Sequence, residues 1–199
     1  MSSTPLSGSL RVLIVEDDSL VGMVLASHLK NLGHTVVGQA DTAKQATELF
    51  RQHQPDLVLA DIRLRNEDGI QLAGELLAER PCPMVIVSAY AEKELIERAS
   101  AAGVYGYLIK PVSEPALAAQ IEVAVRRFAD TQRLRAEKQK LATDLETRKL
   151  VDRAKGILMK RAGLTEEEAH RRLQQESQKR RIAMNDLCRR IIESDELMG

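Results

Sequence analysis

Along the first two thirds of the chain, short unbroken apolar runs alternate with stretches of helical periodicity. Leu10–Val15 (LRVLIV) stops at the acids that follow it, and Leu20–Leu32 then shows helical spacing up to Gly33. Thr35–Ala40 is β-branched, and Thr42–His53 is helical with Asp41 or Thr42 as its cap. Leu57–Ala60 (LVLA) ends at Asp61, Gly69 opens a helix over Ile70–Glu79, and Met84–Val87 (MVIV) ends at Ser88. Glu92–Ala102 is a helix closed by Gly103, and Tyr105–Ile109 (YGYLI) ends at Lys110-Pro111. Strands this short and this uniformly apolar suit a parallel sheet covered on both faces. Five βα units predict an α/β fold with a doubly wound, five-stranded parallel sheet.

The pattern then changes. Ser113 caps a helix with Glu114 and Pro115 in its first turn, and no further glycine or proline occurs before Gly156. Ile121, Val125 and Phe128 form a stripe expected to pack on the sheet. Leu134, Lys138, Leu141 and Leu145 follow at heptad-like spacing, which suits either a solvated connecting helix or a short coiled coil for dimerisation. Three amphipathic pieces close the chain. The first runs through Leu150, Val151, Ala154, Ile157 and Leu158 to Gly163. The second opens on a Thr165/Glu168 capping box and buries Ala169 and Leu173. The third carries Met184, Leu187, Cys188, Ile191 and Ile192 on one face. An extended helix followed by a small three-helix all-α domain is therefore expected. The domain limits read as 10–125, a helical linker over 126–147, and 148–199, after a disordered start over 1–9.

Composition sharpens the division. The formal charge is zero, yet residues 1–125 hold 10 Lys/Arg against 16 Asp/Glu while the rest hold 19 against 13. No aromatic residue follows Phe128. Two distant cysteines argue against a disulfide scaffold or a zinc site. No apolar run approaches a membrane span and no signal peptide is visible, so a cytoplasmic protein without a membrane partner is expected. His28, His34 and His53 lack metal-ligand spacing and read as helix or loop surface.

Ligands of an open parallel sheet bind beyond the carboxyl ends of its strands. Those ends deliver Glu16, Asp17, Asp18, Asp61, Ser88 and Lys110. Clustered carboxylates repel and need a cation, and hard oxygen ligands suit Mg2+. A carboxylate beside such a metal and a lysine is able to receive a phosphoryl group. The blander alternative makes the acids helix caps and Lys110 a solvated lysine. A dinucleotide site fits less well, because no G-x-G-x-x-G follows the first strand.

Residues 10–125 resemble the flavodoxin-like receiver domain of two-component response regulators through VEDD at 15–18, DIRLRNEDG at 61–69, VSAY at 87–90 and YLIKP at 107–111. The resemblance implies that a sensor histidine kinase phosphorylates Asp61. It implies Mg2+ held by Glu16, Asp17, Asp61 and the Arg63 backbone carbonyl. Ser88 and Lys110 then stabilise the phosphoryl oxygens, and Tyr107 changes rotamer; its alternative is a plain core aromatic. Lys110-Pro111 matches the family's cis bond. Arg65 departs from the proline common in the family, and Arg63 and Tyr90 occupy positions that tune phosphoryl lifetime.

Between 148 and 190, 13 Lys/Arg face 6 Asp/Glu. Such a surface attracts phosphate backbones, although an ordinary solvated face has the same composition. Residues 146–193 resemble an ANTAR domain, the RNA-binding module of antitermination regulators. The stretches carrying the resemblance are ETRKLVDRAKGILMKRAGLTEEEAHRRL and QQESQKRRIAMNDLCRRI. It implies binding to structured RNA stem-loops, commonly as a dimer. Arg148, Lys149, Arg153, Lys155, Lys160, Arg161, Lys179, Arg180 and Arg181 are the candidate contacts. Phosphorylation is expected to favour a homodimer that presents two modules to a two-hairpin RNA. A DNA-binding helix-turn-helix and a protein-interaction output are the rivals. An enzymatic output is not expected, since no catalytic constellation follows residue 125.

Overall fold

The structure, a computed structural model, describes residues 8–65 and 67–198. Most of the segment expected to be disordered, as far as residue 7, lies outside them. The chain divides into two compact units, one up to Gln132 and one from Arg133 onward.

The first unit runs β1 (Arg11–Val15), α1 (Ser19–Asn31), β2 (Thr35–Ala40), α2 (Ala43–His53), β3 (Leu57–Ala60), β4 (Arg63–Leu64), β5 (Glu67–Asp68), α3 (Gly69–Glu79), β6 (Met84–Ser88), α4 (Lys93–Ala101), β7 (Gly106–Ile109) and the first part of α5 (Glu114–Ala162). Five strands form the expected parallel sheet, in the order β2-β1-β3-β6-β7. Alternate residues of each strand enter opposite cores. Leu13, Val15, Val58, Ala60, Met84 and Ile86 pack with Phe50 and Leu76 on one face. Val12, Ile14, Leu57, Leu59, Val85 and Val87 pack with Leu25, Leu29, Leu117 and Ile121 on the other. Burial on both faces explains why the strands read as unbroken apolar runs. Phe128 meets Tyr105 edge-on, with ring centroids 5.5 Å apart.

Helix ends follow local chemistry. Asp18, Thr42 and Asp68 each accept backbone N–H bonds at the starts of α1, α2 and α3, so Thr42 rather than Asp41 caps α2. The antiparallel β4–β5 ladder is an addition to the expected elements. Two residues per strand carry no periodicity to read. The histidines expected at the surface are only half-exposed. His28 Nδ1 lies 3.3 Å from Glu114, and His34 Nδ1 accepts the Leu10 N–H at 3.3 Å.

In the second unit the rest of α5 packs with α6 (Glu166–Arg180) and α7 (Met184–Met198). Ala154, Leu173, Leu187 and Cys188 are its buried centre, with Leu150, Leu158 and Ile191 against them. The Thr165/Glu168 capping box is present. The linker and the first of the three expected pieces are a single helix, continuous through Gly156, because nothing in that stretch forces a break. The α6–α7 turn lacks a glycine, and Arg181 takes the left-handed conformation (φ 52°) in its place. Ser177 Oγ donates to the Ile182 carbonyl across that turn (2.7 Å).

Two substitutions test these local constraints. A Cβ on Gly69 would lie 1.8 Å from the Asp61 carbonyl oxygen, so Gly69→Ala is expected to cost about 2–3 kcal/mol in urea unfolding. Arg181→Gly relieves a left-handed non-glycine residue and is expected to stabilise the chain by up to about 1 kcal/mol in the same assay.

Candidate functional site

Because the five strands run parallel, the residues after β1, β3, β6 and β7 come to one rim of the sheet. Backbone bonds hold them there. Glu16 N donates to Ala40 O (2.8 Å), Asp61 N to Val15 O (2.9 Å) and Lys110 N to Ser88 O (2.8 Å). Carboxylate oxygens of Glu16, Asp17 and Asp61 lie within 4.8 Å of one another. Glu16, Asp61 and Ser88 are buried, and Asp17 is half-buried.

Lys110 Nζ reaches into this cluster. It donates to Asp61 Oδ2 (2.6 Å) and Glu16 Oε1 (2.8 Å). It also lies 2.7 Å from Glu16 Oε2, so the ammonium meets both oxygens of that carboxylate. Burial alone would pull the ammonium down. The bonds to Asp61 and Glu16 override this and hold its pKa above the ordinary lysine value. For Glu16 burial dominates and pushes the carboxyl up, with the Asp61 charge adding to it against the pull of Lys110. The two directions are consistent. One ammonium bonds Glu16 and Asp61 while Asp17 stands beside them, so the cation is held firmly and the acids remain under-compensated. The all-oxygen donor set of Glu16, Asp17 and Asp61 fits a hard divalent cation such as Mg2+.

Asp18 does not join the cluster. Its Oδ1 accepts from Leu20 N (2.9 Å) and Val21 N (3.3 Å), which makes it the α1 cap. Ser88 Oγ accepts from Tyr90 N at 3.2 Å. Tyr107 is half-buried and its hydroxyl donates to the Tyr90 carbonyl at 2.5 Å. The Arg63 N–H donates to Asp61 Oδ1 (3.3 Å), while its guanidinium stacks over the Tyr90 ring at 4.1 Å. The part played by Arg65 was not legible in the sequence. In a left-handed conformation (φ 50°), it donates its N–H to Asp17 Oδ2 (3.0 Å) and pairs with Asp41 at 2.5 Å. No local pattern announces it, because its partners lie 24 and 48 positions away.

The basic candidates of the second unit divide into two sets. Arg153 pairs with Glu196 (2.6 Å), Arg161 with Asp195, and Arg180 with Glu176 (2.8 Å). Lys155 holds both Asp152 (2.8 Å) and Glu166 (2.7 Å), and its side chain is only 14% exposed. Arg148, Lys149, Lys160, Lys179 and Arg181 are exposed and hold no ion pair among the described residues. Arg172 and Arg190, outside those candidates, are equally exposed and hold no ion pair among the described residues.

Since its folded pKa is raised, Glu16 contributes stability when protonated and loses it as pH rises from the ordinary carboxylate range through that raised value. Glu16→Gln is therefore expected to melt about 2–4 °C higher than wild type at neutral pH in metal-free buffer. The difference should vanish below the ordinary carboxylate pKa, as followed by circular dichroism.

Comparison with known proteins agrees with this geometry. Residues 12–122 match the response regulator receiver domain family, and residues 139–192 match the ANTAR domain family. The transcriptional regulatory protein PdtaR of Mycobacterium tuberculosis is 41% identical over 184 residues, covering 92% of this chain and 90% of its own. Among solved structures, the signal receiver domain of a modulated diguanylate cyclase from Desulfovibrio desulfuricans G20 is similar at 32% identity and a TM-score of 0.57. It covers 61% of this chain and 98% of that one. A CheY-like receiver domain protein from Methanospirillum hungatei JF-1 has a TM-score of 0.57 at 26% identity, over 62% of this chain and 99% of its own. The chain belongs to the two-component response regulators, in the group that joins a receiver domain to a C-terminal ANTAR domain.

Proposed function

We propose that this phosphorylation-regulated, RNA-binding regulator takes its phosphoryl group on Asp61 from a sensor histidine kinase. The observation that carries the reading is Lys110 Nζ at 2.6 Å from Asp61 Oδ2, inside a ring of under-compensated acids. In the transfer the P–N bond of the kinase phosphohistidine breaks as a P–O bond to an Asp61 carboxylate oxygen forms. Glu16, Asp17, Asp61 and the Arg63 carbonyl would hold Mg2+, which supplies neutralisation of charge on the phosphoryl oxygens. Lys110 follows the charge from the carboxylate to a phosphoryl oxygen, and the Ser88 hydroxyl donates to another. Tyr107, bonded to the Tyr90 carbonyl two residues beyond Ser88, reads the displacement of that loop.

The output is binding of structured RNA stem-loops that prevents transcription termination. Of the nine basic candidates, Arg148, Lys149, Lys160, Lys179 and Arg181 are the freest to meet phosphates. Arg153, Arg161 and Arg180 must exchange a carboxylate partner to do so, and Lys155 serves first to pin α5 to α6. Leu134, Leu141 and Leu145 are 61%, 63% and 56% exposed, which leaves their stripe on α5 for a second copy. The protein acts in the cytoplasm as a regulator rather than as a classical enzyme. Among the described residues no helix is long and apolar enough to cross a membrane.

Purified full-length chain is expected to take label from acetyl phosphate only with Mg2+ present, and Asp61→Ala to take none. Phosphorylation should raise the dimer fraction in light scattering. It should also tighten binding to a two-hairpin RNA by at least about tenfold at fixed salt, with duplex DNA as competitor. Equal dimerisation and equal RNA affinity in both states would overturn the switching step, and preference for the duplex would overturn the RNA output.

A further inference from the structure

A groove of about 370 Å³ opens among α5, α6 and α7, at the lower end of the ~300–1,000 Å³ typical of ligand pockets. Its floor is apolar: Leu173 and Leu187 are buried, and Ile157, Leu158 and Ile191 are half-buried. Four arginines line it, namely Arg161, Arg172, Arg180 and Arg190. Two of them are neutralised inside the groove, Arg161 by Asp195 and Arg180 by Glu176. Among the described residues Arg172 and Arg190 hold no ion pair, so the described lining carries four arginines against two carboxylates.

An apolar floor beneath planar cations is a stacking environment, and the free guanidiniums ask for an anion close to whatever stacks. An unpaired nucleotide offers both, a flat base to lie on the aliphatic floor and a phosphate beside it. Glu176 and Asp195, already oriented by their arginines, are placed to accept from exocyclic amino groups, and the Ser194 hydroxyl adds a donor. This unit contains no aromatic residue. Base recognition therefore falls to arginine and aliphatic faces, and this groove assembles both within the helical unit. We infer that the α5–α6–α7 groove receives an unpaired loop nucleobase of the RNA, with Arg172 and Arg190 on its flanking phosphate. The inference rests on the RNA-binding reading and deepens it by separating a base-reading groove from the basic residues that only meet backbone.

The test uses the full chain and a hairpin RNA with a randomised loop, first enriched by selection against the wild-type protein. Each loop position of the winning hairpin is then replaced in turn by an abasic nucleotide. At one or two positions this is expected to weaken wild-type binding at least tenfold. Arg172→Ala/Arg190→Ala should weaken binding of the intact hairpin by a similar factor. Ser194→Trp, which fills the groove, should make the abasic and intact hairpins bind within twofold of each other, the coupling expected of two changes at one contact. All three side chains are exposed, and unchanged circular dichroism confirms that the variants fold. If hairpins are enriched but the groove variants bind and discriminate like wild type, the groove assignment is overturned while RNA binding stands. If the variants alter the dimer fraction and leave RNA affinity unchanged, the groove seats a second copy and the assignment is equally overturned. If no hairpin is enriched over duplex DNA, the RNA-binding reading itself fails and the groove assignment with it.

Discussion

The receiver is organised around an imbalance of charge at one rim of its sheet, where a single ammonium stands against three carboxylates. The strand ends cannot relax away from one another. Each is held by a backbone bond to the neighbouring strand, as in Asp61 N to Val15 O and Lys110 N to Ser88 O. Burial makes the repulsion stronger than it would be in water. What keeps the site assembled is the sheet behind it, packed on both faces by side chains that strand alternation sends to two separate cores. Stability is given up at the rim to keep these acids together, the trade-off usual at functional sites.

Packing around Asp61 reinforces this. Gly69 brings the start of α3 against the Asp61 carbonyl with no room for a side chain. Its N–H donates to the Ile62 carbonyl at 2.7 Å, so the backbone on the far side of Asp61 is held as well. Arg65 donates to Asp17 and pairs with Asp41. The Arg63 guanidinium stacks over the Tyr90 ring. Arg65, which departs from the receiver pattern, thus bonds Asp17, and Arg63, which occupies one of its tuning positions, bonds Asp61.

In the helical unit the balance is reversed, since cations are abundant and the core is small. Four residues form its buried centre, and several of the basic side chains stitch helix to helix. Lys155 binds Asp152 on its own helix and Glu166 on the next, and Arg153 binds Glu196 of α7. Exposed pairs contribute only about 0–1 kcal/mol each, so their larger effect is to select which cations remain free for a ligand. The leucine stripe on α5 is a second surface, exposed among the described residues.

Reading the sequence alone yields the strand–helix alternation, the five-stranded parallel sheet, the capping box and the candidate residues at the strand ends. All of these depend on local periodicity or on the rule that parallel strands share one functional rim. It leaves Asp18 among the acids, because a cap and a ligand look alike until the first turn of a helix is seen. It does not show that the helical linker and the first piece of the C-terminal domain run as one helix, because a change of composition does not require a break in the backbone. It cannot tell Lys155, held by two carboxylates, from Lys160, held by none among the described residues, nor can it bring Arg172 and Arg190 to one groove. Those distinctions belong to pairs distant along the chain, and only the folded structure decides which charges meet.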